Sequence, residues 1–414
     1  MFKPALALLL FSGAVARAEF SFDGELFLAL TRSSVVSPSL INPGNRLLEE
    51  PLWNLGAEFR PQFQYRTEKT ETVLRTRHFF DQSRVELRDP SETRDAGRGR
   101  SDISDAFFAW SVSDHVNTTL GLQNYQWGPA EIASPSNVFF HFNNDQRSFF
   151  YKEKGKVLAR VSWFPREDVT VLGIYEPVSN RDPHWVEGRE FSPQSALKIE
   201  KQFGHPMNSF ALVLGRMEED IPYVAEHFSW MPWEGFSLYG DLRHQEKNLR
   251  ATPWVDNAGF VRFRDGDVPP WSTYGVVGFR HEGRVDFRQE FIFQQAGYSQ
   301  EEWDLIAGAL GKVSPFLPRN FAAFGKPGLE LRSKAYSYTS LRIPDLGDSP
   351  DVSAAVRWLA DLERSSSALQ LNYERNAGDS LVLSAEATVF FGESDTEFTF
   401  LKSNQVSVGA RYSF

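Results

Sequence analysis

The stretch VSVGARYSF, residues 406–414, decides the fold class, because apolar residues alternate with polar or small ones up to its last position. One face of the stretch carries Val406, Val408, Ala410, Tyr412 and Phe414. Successive side chains of a β-strand point to opposite faces, so this alternation predicts a strand with one apolar and one polar face. Such a strand is expected between an apolar environment and an aqueous one.

The same two-residue alternation recurs along most of the chain. In residues 52–65 nearly every second residue is apolar, and the interruption at Pro61 suits a strand end or a bulge. We count about 18 such segments, and an even count is expected for a closed up-and-down barrel, with about 16 as the alternative. The segments lie near residues 20–30, 52–65, 70–80, 102–112, 115–124, 155–164, 168–176, 194–203, 207–217, 223–230, 235–245, 272–281, 284–294, 327–341, 352–362, 366–375, 380–391 and 404–414.

Short and long connections alternate between these segments, as they do in up-and-down barrels. The short ones, which predict turns at one end, include residues 164–167, 202–206, 231–234, 282–283 and 376–379. The long ones, which predict loops at the other end or in the lumen, lie near residues 31–51, 81–101, 125–154, 177–193, 246–271, 295–326, 342–351 and 392–403. Within one long connection, residues 300–310 place apolar side chains at helical spacing and predict a helix.

The composition excludes a helical membrane protein. Aromatic residues make up 14% of the chain, but 24% is charged and the mean hydropathy is -0.38. A spanning helix needs about 20 consecutive apolar residues, whereas a spanning strand needs only about 9–11 residues with alternating faces. A soluble β-sandwich or propeller alternates in the same way and is the alternative on this evidence.

Residues 1–18 have the pattern of a cleaved signal peptide, with an apolar stretch at 4–15 and an A-x-A cleavage site at 16–18. The mature chain is then expected to begin at Glu19, and residues 19–414 are expected to form one domain. The sequence has no cysteine, so it can form neither a disulfide nor a thiolate metal site.

An alternating last strand that ends on an aromatic residue resembles that of Gram-negative outer-membrane β-barrel proteins of the porin class. In that class the barrel-insertion machinery reads this strand, which implies that role for Tyr412 and Phe414. With the signal peptide and the strand pattern over the whole mature chain, the resemblance implies an all-β fold: a single transmembrane, antiparallel, up-and-down β-barrel. It also implies a location in the outer membrane, with lipid around the barrel, and it points to no particular subfamily.

Aromatic residues near the predicted strand ends are expected to form belts at the two membrane–water interfaces, where amphipathic rings are favoured. They are Trp110, Trp163, Tyr175, Trp230, Trp233, Trp358, Tyr373 and Tyr412. This role is structural and requires no ligand.

Charged residues on the opposite faces are expected to point into the lumen, because lipid surrounds the outside. The candidates for lining a pore are the basic residues Arg60, Arg75, Arg77, Arg160, Arg243 and Arg288 and the acidic residues Asp105 and Glu290. Inward basic and acidic residues are equally numerous along the chain, which favours mild selectivity over selection for one sign. The alternative is that most of these pairs only brace the wall.

The long connection that begins near residue 125 is the predicted constriction. Its aromatic residues are too apolar for a free external loop, so residues 125–150 are predicted to fold inward. The position of this loop resembles that of the constriction loop of porins. The side chains expected to line the pore or contact solute are Tyr125, Gln126, Trp127, Asn137, His141 and Arg147. The alternative is a loop packed on the barrel rim.

Passive passage of small hydrophilic solutes is the function that these features favour. Two other classes stay open: a scaffold barrel plugged by a partner such as a lipoprotein or a periplasmic electron carrier, and an outer-membrane lipid hydrolase. The sequence has no G-x-S-x-G or H-E-x-x-H motif, and we expect no enzymatic activity, metal or cofactor. A net charge of -10 argues against nucleic acid as a partner. Association into a homo-oligomer stays open.

Overall fold

The structure is a computed structural model that describes most of the chain. The described residues are 18–36, 42–46, 49–87, 93–140, 155–178, 193–217, 220–247, 250–265, 271–310, 331–393, 396–400 and 402–414. The predicted signal peptide, apart from Ala18, lies outside them, and so do the predicted pore residues His141 and Arg147.

Eighteen strands form one sheet, and two further strands form a separate hairpin. In chain order the strands are β1 Glu19–Val35, β2 Pro51–Arg66, β3 Thr70–Glu86, β4 Thr93–Ser113, β5 Val116–Gln123, β6 Lys156–Arg166, β7 Val169–Glu176, β8 Gln194–Phe203, β9 His205–Met217, β10 Ile221–Trp233, β11 Phe236–Gln245, β12 Ala251–Val255, β13 Val261–Asp265, β14 Ser272–His281, β15 Asp286–Gln294, β16 Ala335–Ile343, β17 Val352–Asp361, β18 Ser366–Asn376, β19 Leu381–Phe391 and β20 Lys402–Ser413. The hairpin consists of β12 and β13, and all other strands belong to the large sheet.

The large sheet closes into a barrel. Each of its strands pairs antiparallel with the next one in sequence, and β1 pairs with β20 so that Leu28 lies opposite Ala410 and Leu30 opposite Val408. Closure satisfies the backbone hydrogen bonds of strands that would otherwise be edges. The predicted antiparallel up-and-down barrel with 18 strands is confirmed, and the alternative count of about 16 is wrong.

The outer face of the barrel is largely apolar, and on some strands the inner face is polar. On β20, for example, Val406 and Val408 are exposed on the outer face, whereas Ser407 between them is buried. This inverts the usual arrangement of a soluble protein and is typical of a barrel whose outer face meets lipid. The aromatic residues assigned to interface belts are all exposed: Trp110, Trp163, Tyr175, Trp230, Trp233, Trp358, Tyr373 and Tyr412.

The two ends of the barrel differ in their connections. The end that holds Phe414 and the start of β1 also carries the short turns, such as those after β2, β4, β6, β8 and β10, and we call it the turn end. The opposite loop end carries most of the longer connections, although those after β9 and β17 are short. The predicted loop near 342–351 belongs to the turn end, because it joins β16 to β17 there, and Asp348 in it pairs with Arg284 at 2.8 Å.

Several predicted boundaries differ from those in the structure. The predicted loop near 81–101 is mostly strand, since β3 continues to Glu86 and β4 begins at Thr93. Residues 93–101 are exposed on both faces and lack the apolar alternation by which the other strands are recognised. Of the strand predicted over 327–341, residues 327–330 lie outside the described residues, 331–334 are not strand, and β16 begins at Ala335.

The loop end carries the helix α1, Gln300–Leu310, at the predicted position, and the hairpin β12–β13, which the sequence did not predict. Arg250 pairs with Glu302 of α1 at 2.7 Å, and the Arg364 guanidinium lies 4.4 Å from the buried ring of Trp303. Two short 3-10 helices span Pro43–Asn45 and Leu346–Asp348. In the part of the chain that the structure describes, no helix has both the length and the apolar character needed to cross a membrane.

Candidate functional site

The connection after β5 enters the barrel. Residues 124–140 follow Gln123, and within them the rings of Trp127 and Phe139 meet edge to face with their centroids 6.1 Å apart. These rings belong to an apolar cluster that includes the inward-facing residues Leu158, Leu172, Ile174, Ala196, Val213, Tyr223 and Ala225. Apolar inward faces are stabilised when they are covered from water, and here the chain's own loop covers them.

Asp241 on β11 holds the middle of this loop. Its fully buried carboxylate accepts the Ser136 backbone N–H at 2.7 Å and the Ser136 hydroxyl at 3.1 Å. The Arg243 guanidinium donates to the Pro135 carbonyl at 3.1 Å. Gly128 has a φ of 99°, and a Cβ at this position would overlap the Asp241 carboxylate, so glycine is required for the close approach.

Glu290 on β15 holds the loop at a second point. Its buried carboxylate accepts the backbone N–H of Glu131 at 2.6 Å and that of Ile132 at 3.2 Å. The Glu131 side chain in turn accepts the Tyr338 hydroxyl at 2.9 Å and lies 3.1 Å from the Arg288 guanidinium. Buried carboxylates are tolerated when donors surround them, so these contacts both satisfy the charge and fix the loop.

A second apolar cluster fills the barrel interior next to the neighbouring strands. Loop residues Ala130, Ile132 and Ala133 pack there against Tyr239, Tyr274, Val276, Ile292, Tyr336, Tyr338 and Leu359. Residues 396–400 also turn inward, and Glu397 accepts the Tyr336 hydroxyl and the Arg332 backbone N–H, the latter at 2.9 Å. Burial raises the pKa of the Glu397 carboxyl above its ordinary value. We call the interior next to β6–β11 and β14–β17 the filled side.

The interior next to β1–β4 and β20 is different, and we call it the polar side. A turn-side cavity of about 490 Å³ is lined by residues that include Asp23, Glu25, Arg60, Gln62 and Arg75. A loop-side cavity of about 370 Å³ is lined by residues that include Glu58, Arg77, Asp81, Arg100 and Gln405. Charged and amide groups dominate the lining of the turn-side cavity, and the loop-side cavity combines such groups with Phe27, Phe79 and small residues. Charged and amide groups favour water over a dry packed interior.

Four side chains, which we call the central cluster, lie where the two cavities approach each other: Phe27, Glu58, Arg60 and Arg77. Arg60 donates to both oxygens of Glu58 at 2.6 and 2.8 Å, and Arg77 donates to the same carboxylate at 2.5 Å. The Arg60 guanidinium also lies 3.7 Å from the centroid of the Phe27 ring and 3.9 Å from Glu25. Two arginines thus face two carboxylates, so the charges at this level are balanced.

Below the central cluster, Arg75 bridges neighbouring strands on the polar side. It donates to Asp105 on β4 at 2.7 Å and to the amide oxygen of Gln62 on β2 at 2.7 Å. Two strands beyond β4 along the wall, Arg160 on β6 lies 4.1 Å from the centroid of the Tyr125 ring. Cation–π contact and burial of the arginine stem hold this part of the loop against the wall.

The structure divides the predicted pore residues into two groups. Arg60, Arg75, Arg77 and Asp105 lie on the polar side. Trp127, Asn137, Arg243 and Glu290 are buried with the loop, Tyr125, Arg160 and Arg288 are half-buried beside it, and Gln126 is exposed. Contact of any of them with solute stays a prediction. Within the described ranges, no three His, Cys, Asp or Glu side chains come together as a metal site would require.

The sequence did not single out Glu58, Glu131 or Asp241 as site residues. The alternation of side chains places Glu58 and Asp241 on inward faces, but only the three-dimensional fold determines which residues they contact. The Glu290–Glu131 contact, for instance, joins residues 159 positions apart. Glu131 lies in a connection without periodicity, so no local signal marks it.

No family model and no curated protein matches the sequence. Solved structures match it over nearly its whole length. Pseudomonas aeruginosa OccK5 (OpdH) matches with a TM-score of 0.54 and 10% identity, over 96% of this chain and 98% of that chain. The outer membrane protein OpdK of Pseudomonas aeruginosa matches with a TM-score of 0.51 and 9% identity, over 95% of this chain and 98% of that chain. Pseudomonas aeruginosa OprD matches with a TM-score of 0.50 and 9% identity, over 96% of this chain and 97% of that chain. At these identities the likeness shows the fold, a porin-class β-barrel.

Proposed function

We propose that this barrel, which shares its fold with OccK5, OpdK and OprD, is an outer-membrane channel for the passive passage of small hydrophilic solutes. The observation that carries the proposal is the pair of polar cavities stacked along β1–β4 and β20. The filled side is occupied by the chain's own loops, so among the described residues the polar side offers a route with room for water and solute.

A solute on this route would pass from the loop-side cavity along the central cluster into the turn-side cavity. Charged and amide groups would replace part of its hydration shell, and the balanced charges of Glu25, Glu58, Arg60 and Arg77 favour weak ionic selectivity. Passive diffusion requires no chemical reaction, which agrees with a lining that only contacts the solute.

A scaffold barrel plugged by a separate protein is less well supported. Residues 124–140 and 396–400 already occupy the filled side, and the cavities on the polar side measure about 490 and 370 Å³. Volumes of this size suit small molecules rather than a protein domain.

Export by a signal peptide cleaved after Ala18 and recognition of the last strand by the barrel-insertion machinery are part of the proposal. The Phe414 ring stacks on Tyr412 and on Phe59, with centroids 6.2 and 6.1 Å apart, and stays half-exposed on the outer face. These exposed rings form an aromatic ridge at the turn end to which the barrel-insertion machinery would bind. Phe414→Ala should then lower the amount of heat-modifiable barrel in the outer membrane, whereas Phe260→Ala in the external hairpin should not.

Single-channel recording of the purified mature protein in a planar bilayer tests the channel itself. Steady, weakly selective conductance is expected. Arg60→Ala removes a side chain between the two cavities, while Arg77 still pairs with Glu58, so the conductance should rise. Arg216→Ala removes an exposed arginine on the outer face and should leave the conductance unchanged. Folded, heat-modifiable protein without conductance would overturn the proposal and favour a plugged scaffold.

A further inference from the structure

The apolar band on the outer face ends at nearly the same level on three adjacent strands, since it ends at paired residues on β1 and β2 and one outward position further on β20. The last apolar outward residues on β1, β2 and β20 are Leu30, Leu55 and Val406. The next outward residues toward the loop end are Arg32, Trp53 and Asn404. A change from aliphatic to polar and aromatic side chains marks the edge of the hydrocarbon region in membrane barrels. Arg32 and Trp53 therefore lie at the membrane–water interface on the loop side.

Arg84 on β3 completes a row at this edge. Arg32 lies opposite Trp53, and Trp53 lies opposite Arg84, so the three residues cross three adjacent strands. All three are exposed on the outward face. Two strand spacings place the backbones of the two arginines about 10 Å apart.

The side chains of the row are arranged to meet an anion beside a membrane surface. The Arg32 guanidinium lies 5.1 Å from the centroid of the Trp53 ring and makes no ion pair with a described carboxylate. Arg84 pairs with Asp95 at 3.0 Å, but both side chains are more than half exposed, and such a pair contributes little. Arginine forks bind phosphate oxygens in pairs, and tryptophan is favoured at headgroup level.

We propose that Arg32, Trp53 and Arg84 form a binding site for the phosphate-bearing headgroup of an outer-leaflet lipid. The proposal rests on the outer-membrane placement proposed above, because that placement puts the loop end at the outer leaflet. Leu30 and Leu55, directly below Arg32 and Trp53, would contact the acyl chains of the same lipid, and the two arginines would hold its phosphate groups. A lipid held there would fix the tall β1–β4 wall, which borders the polar side, at a defined depth.

Native mass spectrometry of the detergent-purified barrel tests this, with bisphosphorylated lipid A as the probe and phosphatidylcholine, a zwitterion without net charge, as the comparison. Wild-type protein should retain the probe in preference to phosphatidylcholine. Arg32→Gln/Arg84→Gln should weaken retention of the probe by roughly tenfold or more, because each basic residue near an anionic surface contributes measurably. Arg216→Gln, which removes an exposed outward arginine on β9, is the matched control and should retain the probe like wild type.

Asp95→Asn tests the same site by a change that should strengthen lipid binding. It removes the carboxylate that competes for Arg84, so retention of the probe should increase while the arginines stay in place. Inorganic phosphate at the same phosphate concentration should not displace the probe, because it lacks acyl chains. Equal displacement by inorganic phosphate, equal loss in the Arg216 control, or unchanged retention in the double variant and in Asp95→Asn would overturn the proposal.

Planar-bilayer conductance of the same variants separates this site from the channel. Arg32, Arg84 and Asp95 face outward, so their variants should conduct like wild type. A barrel that binds the probe but never conducts would refute the channel and leave the lipid site standing. A barrel that conducts but shows no preference for the probe would refute the lipid site and leave the channel standing.

Discussion

The filled side and the polar side of the interior share one strand geometry but carry opposite side-chain chemistry. Inward residues of the filled side include Leu158, Val213 and Tyr336, all nearly inaccessible, whereas Glu58, Arg77 and Arg100 face the cavities of the polar side. Apolar surface is stabilised by a covering layer, and charged groups are stabilised by water or counter-charges. The apolar inward residues therefore favour a sector packed with loop, where inward charges such as Asp241 and Glu290 are satisfied by the loop itself.

Replacing residues 126–139 with a short glycine–serine linker tests this contrast with the largest expected effect. The loop occupies the filled side, so its removal should open that sector and raise the single-channel conductance severalfold. The barrel should still fold, because its strands pair with one another and not through the loop. The same conductance in wild type and variant, with both heat-modifiable, would mean that the loop does not limit the open area.

A single substitution in the loop core should lower stability without opening the sector completely. Phe139 is 2% exposed and packs against Trp127 and the inward residues of β6–β10. Phe139→Ala should lower the free energy of unfolding by about 3 kcal/mol, the size usual for a large core side chain replaced by alanine. Urea unfolding followed by tryptophan fluorescence measures this.

Phe260→Ala is the control for this change, because Phe260 is 46% exposed in the external β12–β13 connection. It should cost well under 1 kcal/mol, as surface substitutions usually do. Equal losses for the two variants would show that Phe139 is not packed as described.

The sequence predicts the wall of this barrel better than its contents. Residues 194–203 were predicted as a strand with the bounds that β8 has, and 300–310 were predicted as the helix that α1 forms. Both predictions rest on local periodicity, which an alternating or helical segment carries in itself. The connection near 342–351 was predicted at the end of the barrel that carries the long loops, because of its length alone. This prediction was wrong, since the connection lies at the turn end.

The contents of the interior depend on contacts between distant residues. That a loop of aromatic residues folds inward could be inferred from its apolar character, but its attachment points could not. Asp241 meets Ser136 across 105 positions, and Glu290 meets Glu131 across 159. No pattern within either strand distinguishes these two carboxylates from other inward charges, so only the fold reveals which of them hold the loop.

Asp241→Asn tests the attachment itself, with a smaller expected effect than loss of the loop core. The carboxylate accepts two hydrogen bonds from Ser136, and an amide replaces one acceptor oxygen with a donor that faces the same groups. Loss of such a buried contact costs about 1–3 kcal/mol. We expect the loop to detach intermittently, seen as brief excursions of the single-channel current to higher conductance.

Ser136→Ala is the matched comparison, because it removes the hydroxyl bond and leaves the backbone N–H bond to Asp241 in place. It should give fewer excursions than Asp241→Asn. If both variants produce the same noise as wild type, the Asp241 contact does not hold the loop.

The smallest effect is expected on the polar side, where a charge can be removed without disturbing any packed loop. Arg75 borders the turn-side cavity and is partly exposed, so Arg75→Gln should leave the conductance nearly unchanged and shift selectivity modestly toward cations. Asp105 keeps the Ser104 hydroxyl as a donor at 3.0 Å and would carry the uncompensated charge. Reversal potentials in a KCl gradient measure the shift.

Screening predicts how that shift depends on salt. The Debye length is about 10 Å at 0.1 M and about 3 Å at 1 M, so the change in selectivity should be clear at low ionic strength and nearly absent at high ionic strength. Arg166→Gln removes an exposed arginine that is paired with Asp168 at the turn end, outside both cavities, and should show no shift at either concentration. An equal shift in both variants would place the ion path away from the polar side. A shift confined to Arg75→Gln at low salt would assign the path to the charged sector of the barrel.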